Sequence, residues 1–173
     1  MCKVIGMAVI LVGTGGFLYS YLSMRIRRID NMKKLYGFLV HTGFELQNNC
    51  VDMGNYLRDC AGREEESPLG RTCRDAAEFL ENFSFGNGAD AWQHACVCNR
   101  KQWELEPEGE RILNRFGEAV FGRYCEENLK KLDNLAGDLL RCIEEETKQF
   151  RQKQKVLTPV TLLGGVLLCI LLV

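Results

Sequence analysis

The chain has 173 residues, 22 Lys/Arg against 23 Asp/Glu and nine cysteines, with a formal net charge of -1. Both ends carry long uncharged runs, so one domain with room for a modest core remains between them. The bases gather beside the two runs and the stretch from Leu35 to Thr147 is acidic, which argues against a nucleic-acid partner.

The first run, Val4 to Met24, is uncharged, and as a helix at ~1.5 Å per residue it would reach across a hydrocarbon core. Within it, Val9 to Val12 followed by Gly13-Thr14-Gly15-Gly16 imitates a strand entering a phosphate-binding loop. That fingerprint needs a glycine at position 18 and then an amphipathic helix. Leu18 stands there and the apolar run continues, so the small residues read as the packing face of a spanning helix.

Arg25, Arg27, Arg28, Lys33 and Lys34 follow this run, and Lys148, Arg151, Lys153 and Lys155 precede the second uncharged run, Val156 to Val173. Lys and Arg beside spans stay on the cytoplasmic side. The spacing of charge therefore predicts residues 1–24 and 156–173 as transmembrane helices, residues 25–155 as a cytoplasmic bundle, and both termini outside. The competing expectation is a secretory signal with Lys3 as its basic end and cleavage near Thr14 to Phe17. The bases that follow the run oppose export.

The first helix is predicted to continue from Met24 to Asn48, with Met32, Leu35, Leu39 and Leu46 on one side. Asn49 with Asp52 three positions later resembles a helix start, opening a short helix to Cys60, and Gly62 with Glu64 to Glu66 forms a polar connection. Ser67-Pro68 begins the next helix, a capping side chain before a proline at the first helical position. Cys73, Ala76, Ala77 and Leu80 form its buried face, and Phe83 to Gly88 breaks it.

A helix from Ala89 to Trp103 turns Trp92, Ala95, Cys96 and Asn99 inward. His94, Cys96 and Cys98 imitate a metal motif, but steps of two point apart on a helix, so only His94 and Cys98 share a face. Structural zinc needs four ligands, and no second local pair exists. Glu106 to Glu110 opens another helix, its acids at the positive end of the dipole. Ile112, Leu113, Phe116, Val120 and Phe121 are its buried face, and Gly122 ends or bends it.

The last helix, Arg123 to Val173, carries a seam at Cys125, Leu129, Leu132, Ala136, Leu139, Ile143 and Phe150, interrupted only by Glu146. Seven cysteines lie between the runs without paired spacing, so they are expected to be reduced and packed as small apolar residues. Neither histidine has a nucleophile at a readable spacing. No enzyme activity, cofactor or metal is expected. The fold class is all-α, a bundle of about five or six helices bracketed by the two spans.

Taken in order, these features resemble the stage III sporulation protein AB family. The resemblance is carried by Leu35 to Leu46 with Glu45, Leu113-x-x-Phe116-Gly117, Leu129 to Leu139, Lys148 to Lys155 and the small-plus-aliphatic ending from Leu162. It covers essentially the whole chain. Gly122 comes one position later than that family's second glycine, with Tyr124 and Asn128 where an aspartate and a glutamine are usual.

The resemblance implies a non-enzymatic adaptor in the sporulation channel complex of the mother-cell (outer forespore) membrane. Its cytoplasmic domain would be similar to type II secretion platform proteins. Its implied partners are the secretion-type ATPase of that complex, the other membrane subunits and the lipid bilayer, and Phe116, Gly117 and Glu118 are the corner expected to face a partner. The alternatives are a platform protein of a general secretion or pilus machine, and a membrane enzyme or metal sensor using His94 and Cys98.

Overall fold

The computed structural model describes residues 2–48, 52–82, 86–122 and 125–171, with side chains throughout except at 2–11, 14, 125–126, 162, 165–166, 168–169 and 171. Six helices and no strand occur among the described residues: α1 (Cys2–Asn48), α2 (Met53–Arg63), α3 (Pro68–Glu81), α4 (Gly88–Trp103), α5 (Pro107–Val120) and α6 (Cys125–Leu171). The chain divides into two compact units. One combines Met1–Ile29 with Glu144–Val173, and the other is Asp30–Ile143.

In the Asp30–Ile143 unit, α2 packs on α3, α3 on α4 and α4 on α5. The starts are set by local chemistry. The Asp52 carboxylate accepts the Gly54 amide at 3.1 Å, Ser67 Oγ accepts the Gly70 amide at 3.1 Å, and Asn87 Oδ1 accepts the Asp90 amide at 2.9 Å. Each satisfies a donor that the first helical turn leaves without a partner. The cap of α2 is thus Asp52, three positions after the expected Asn49, which lies outside the described residues.

Gly62, expected in the connection, belongs instead to the last turn of α2, which runs to Arg63. The helix closes at Glu64, whose amide donates to Cys60 O. The turn from Glu64 to Ser67 then presses against α3. A Cβ at Gly70 would stand 2.0 Å from Glu64 O, so only glycine fits there.

The centre of this unit is aromatic. Phe38 of α1 lies 6.1 Å from Tyr56, 5.9 Å from Trp92 and 4.8 Å from Phe116, ring centre to ring centre. Leu35, Leu57, Cys73, Ala76, Ala95 and Leu139 are wholly buried in the same core. Its two tryptophan indoles are paired, as burial requires. Trp92 Nε1 donates to Leu113 O at 2.7 Å, and Trp103 Nε1 donates to Thr72 Oγ1 at 2.9 Å. Asn31 Nδ2 of α1 donates to Trp103 O at 3.0 Å, capping the end of α4.

In the other unit, the stretches of α1 and α6 carry exposed apolar residues. Val12, Phe17 and Tyr19 are exposed on α1, and Val156, Val160, Leu163, Leu167 and Ile170 on α6. No helix among the described residues is long and apolar enough to cross a membrane. The two runs expected to span fall partly outside the described side chains: residues 4–11 and 14 of the first, and 162, 165–166, 168–169 and 171–173 of the second.

Candidate partner interface

Helix α5 displays two chemistries on its two sides. Ile112, Leu113, Phe116, Gly117, Ala119 and Val120 are buried, and Arg111, Asn114, Arg115 and Glu118 are exposed. Of the three residues expected at a partner-facing corner, only Glu118 reaches the surface. Phe116 is fully buried, its ring 4.8 Å from Phe38 and 4.5 Å from Trp92. Gly117 lies beneath α4, where an added Cβ would come within 3.1 Å of Trp92 Cβ and 3.2 Å of Ala89 Cα. The expectation for Phe116 and Gly117 is corrected accordingly. Gly117 lets α4 and α5 approach closely, Phe116 fills the core beside Trp92, and neither is available to a second protein while the bundle is closed.

Glu118 opens onto a cleft of about 100 Å³ between α5 and α6, lined also by Arg115, Lys131, Asn134, Leu135 and Asp138. Lys131 pairs with Glu127 at 2.8 Å and Asp138 pairs with Arg141. Among the described residues neither Arg115 nor Glu118 has such a partner. The cleft therefore presents one unengaged charge of each sign above the apolar floor of Ala119 and Leu135.

Asn128 holds the α5–α6 corner behind it. It is buried, and its Nδ2 donates to Gly122 O at 3.0 Å. A Cβ at Gly122 would stand 2.4 Å from Asn128 Oδ1. Gly122 and Asn128 thus form one local device. Tyr124 lies outside the described residues.

The nine bases expected at the membrane junctions fall into two groups. Arg25 Nη1 lies 3.2 Å from Glu146 Oε2 and Arg28 Nη1 4.0 Å from Glu146 Oε1, all three side chains largely buried. Lys34 pairs with Glu64 at 3.1 Å. Arg27, Lys33, Lys148, Arg151, Lys153 and Lys155 are exposed. The sequence held the signal for the first group: a lone acid on an otherwise apolar seam needs a buried cation.

Cys98 Sγ lies 3.7 Å from His94 Nδ1 on the exposed side of α4, whereas Cys96 is buried. No group of three or more His, Cys, Asp or Glu among the described residues could hold an ion. Burial pushes the thiols of Cys60, Cys73 and Cys96 up, which keeps them protonated and unreactive. A directed polar chain also crosses α1 and α2. Thr42 Oγ1 donates to Phe38 O at 2.7 Å, so it accepts from the Tyr56 hydroxyl at 3.0 Å, whose oxygen meets His41 Nδ1 at 2.9 Å. Burial raises the Tyr56 hydroxyl above its ordinary range, so it stays a donor.

The family model of stage III sporulation protein AB matches residues 3–173. Among solved structures, one described as stage III sporulation protein AB (SpoIIIAB) aligns with a TM-score of 0.67 at 14% identity, covering 72% of this chain and 97% of that one. That likeness carries the fold. No curated protein matches.

Proposed function

This chain belongs to the stage III sporulation protein AB family, and on that premise we propose that it is a non-enzymatic subunit of a sporulation channel complex. Its Asp30–Ile143 unit acts as a docking domain, and its terminal runs anchor it in the mother-cell membrane. The observation that carries the reading is the family match over residues 3–173. The same chain joins a close-packed helical unit to an apolar, base-flanked one.

The docking partner in this reading is the secretion-type ATPase of the complex, and the α5–α6 cleft at Glu118 is the contact. A cleft with an unengaged Arg115 and Glu118 recognises a partner by complementary charge, which sets specificity and encounter rate more than affinity. Membrane anchoring is supported by the uncharged runs from Val4 to Met24 and Val156 to Val173, each with bases on the side of the central unit.

Two measurements test the reading. The full chain is purified from membranes and probed for co-purification of the ATPase, with Glu118→Lys as the comparison. Reporter fusions within residues 60–100 report sidedness, and activity only on the far side of the membrane would overturn the topology and the docking together.

A further inference from the structure

Four exposed bases crowd one short stretch of α6. Arg25 and Arg28 are taken up by Glu146, and Lys34 by Glu64. Lys148, Arg151, Lys153 and Lys155 are exposed and, among the described residues, have no ion-pair partner. The residues between them, Gln149, the half-buried Phe150, Gln152 and Gln154, are all neutral, and no acid follows Glu146. None occurs from Met1 to Ile29 either.

The geometry of these bases identifies the ligand. At about 100° per residue, positions 148, 151 and 155 fall on one side of the helix and 153 on the opposite side. A folded protein docks on one face of a helix, whereas a layer of headgroups surrounds it. Directly beyond Lys155 begins an exposed apolar stripe, Val156, Val160, Leu163, Leu167 and Ile170, spaced by four and three along one face. On α1, Val12, Tyr19 and Ile26 form a similar exposed stripe at seven-residue spacing, ending beside Arg27. Near the bases, Tyr21, Leu22 and Phe150 line a small groove with Arg25 and Lys153, and the Arg25 guanidinium lies 6.0 Å from the Tyr21 ring centre. Apolar and cationic groups in that succession match an acyl region followed by phosphates.

We propose that Lys148, Arg151, Lys153 and Lys155, with Arg27 of α1, form a collar that selects anionic phospholipid headgroups. The inference rests on the membrane reading above and goes beyond it, since a span needs lipid but not anionic lipid. Long cationic side chains reach the phosphate plane while their stems stay on apolar surface. Attraction to an anionic leaflet adds about fivefold in affinity per base and falls with salt.

The full-length chain is reconstituted into phosphatidylcholine vesicles with and without phosphatidylglycerol, re-extracted in detergent, and its retained lipid identified by native mass spectrometry. Enrichment of phosphatidylglycerol is expected, decreasing at high salt. It is abolished in the variant K148Q/R151Q/K153Q/K155Q, whose helix content by circular dichroism is unchanged because Gln is as good a helix former as Lys. Insertion without an anionic preference, or a preference retained by that variant, sinks the collar alone. Displacement by millimolar inorganic phosphate as effective as by phosphatidylglycerol makes the ligand free phosphate and overturns the lipid assignment. Failure to insert into either vesicle removes the membrane reading and the collar with it.

Discussion

Glu146 of α6 lies between two arginines of α1, 3.2 Å from Arg25 and 4.0 Å from Arg28, on the one seam position that an apolar residue would otherwise occupy. A half-buried ion pair of this kind contributes little net stability against an apolar pair of equal volume, yet removing one partner leaves charge without compensation. Its value is register: α1 and α6 can slide past one another only by breaking it.

Glu146→Ala is expected to destabilise the chain by about 1.5–3 kcal/mol, the range for losing a hydrogen bond to a charged group. Arg25→Ala in addition should do less harm than the two single changes summed, because they share one interaction. A double-mutant cycle on thermal melting checks this, and strict additivity would show that the pair is only adjacent.

Phe116 and Glu118 should separate fold from recognition. Phe116→Ala opens a cavity between Phe38 and Trp92 and should cost about 3–5 kcal/mol. Glu118→Lys, on the surface, should leave the melting temperature unchanged within error and weaken ATPase co-purification. Wild-type co-purification with Glu118→Lys would dismiss the cleft as the docking site.

Backbone approach makes two glycines irreplaceable for different reasons. Gly117→Ala forces Trp92 to move by a few tenths of an ångström, an overpacking of about 1–3 kcal/mol. Gly70→Ala meets the Glu64 carbonyl, which belongs to the backbone of the turn and has no rotamer to change. Chemical denaturation should therefore rank Gly70→Ala as the more harmful of the two.

The cysteines offer a kinetic and a pH test. Cys98, exposed on α4, should alkylate rapidly under native conditions, and Cys73 and Cys96 only on global unfolding; peptide mapping after pulsed labelling reads this directly. Burial raises the folded-state pKa of Cys60, Cys73, Cys96 and Tyr56, so the fold favours their neutral forms. Their contribution is complete below the unfolded thiol pKa of about 8.5 and diminishes as pH rises beyond it. Stability should thus fall from neutral to alkaline pH, and fall less steeply in the double variant Cys73→Ala, Cys96→Ala.

Much of the architecture was legible because it is local. The helix start at Ser67 needs only a capping side chain within three residues, and the inward faces of α3, α4 and α5 follow from a 3.6-residue period. The same period already placed Phe116 on the buried side of α5, yet the family resemblance made it a docking residue. Spacing alone could not choose between a ring that enters this core and one that enters a partner's. The choice became visible with Phe38, 78 positions away in the chain, lying 4.8 Å from its ring.

The amino-acid order by itself determined an all-helical chain, the helix start at Ser67, its segregated charge and its family, since each is written in spacings shorter than a helix or in composition. Tertiary structure alone decided which groups meet: that Glu146 neutralises Arg25 and Arg28, that Asn31 caps α4, and that Phe116 and Gly117 are interior while Glu118 is not. These are contacts between residues tens of positions apart. They form only when several apolar faces are buried at once, and no local pattern encodes which faces will share that core.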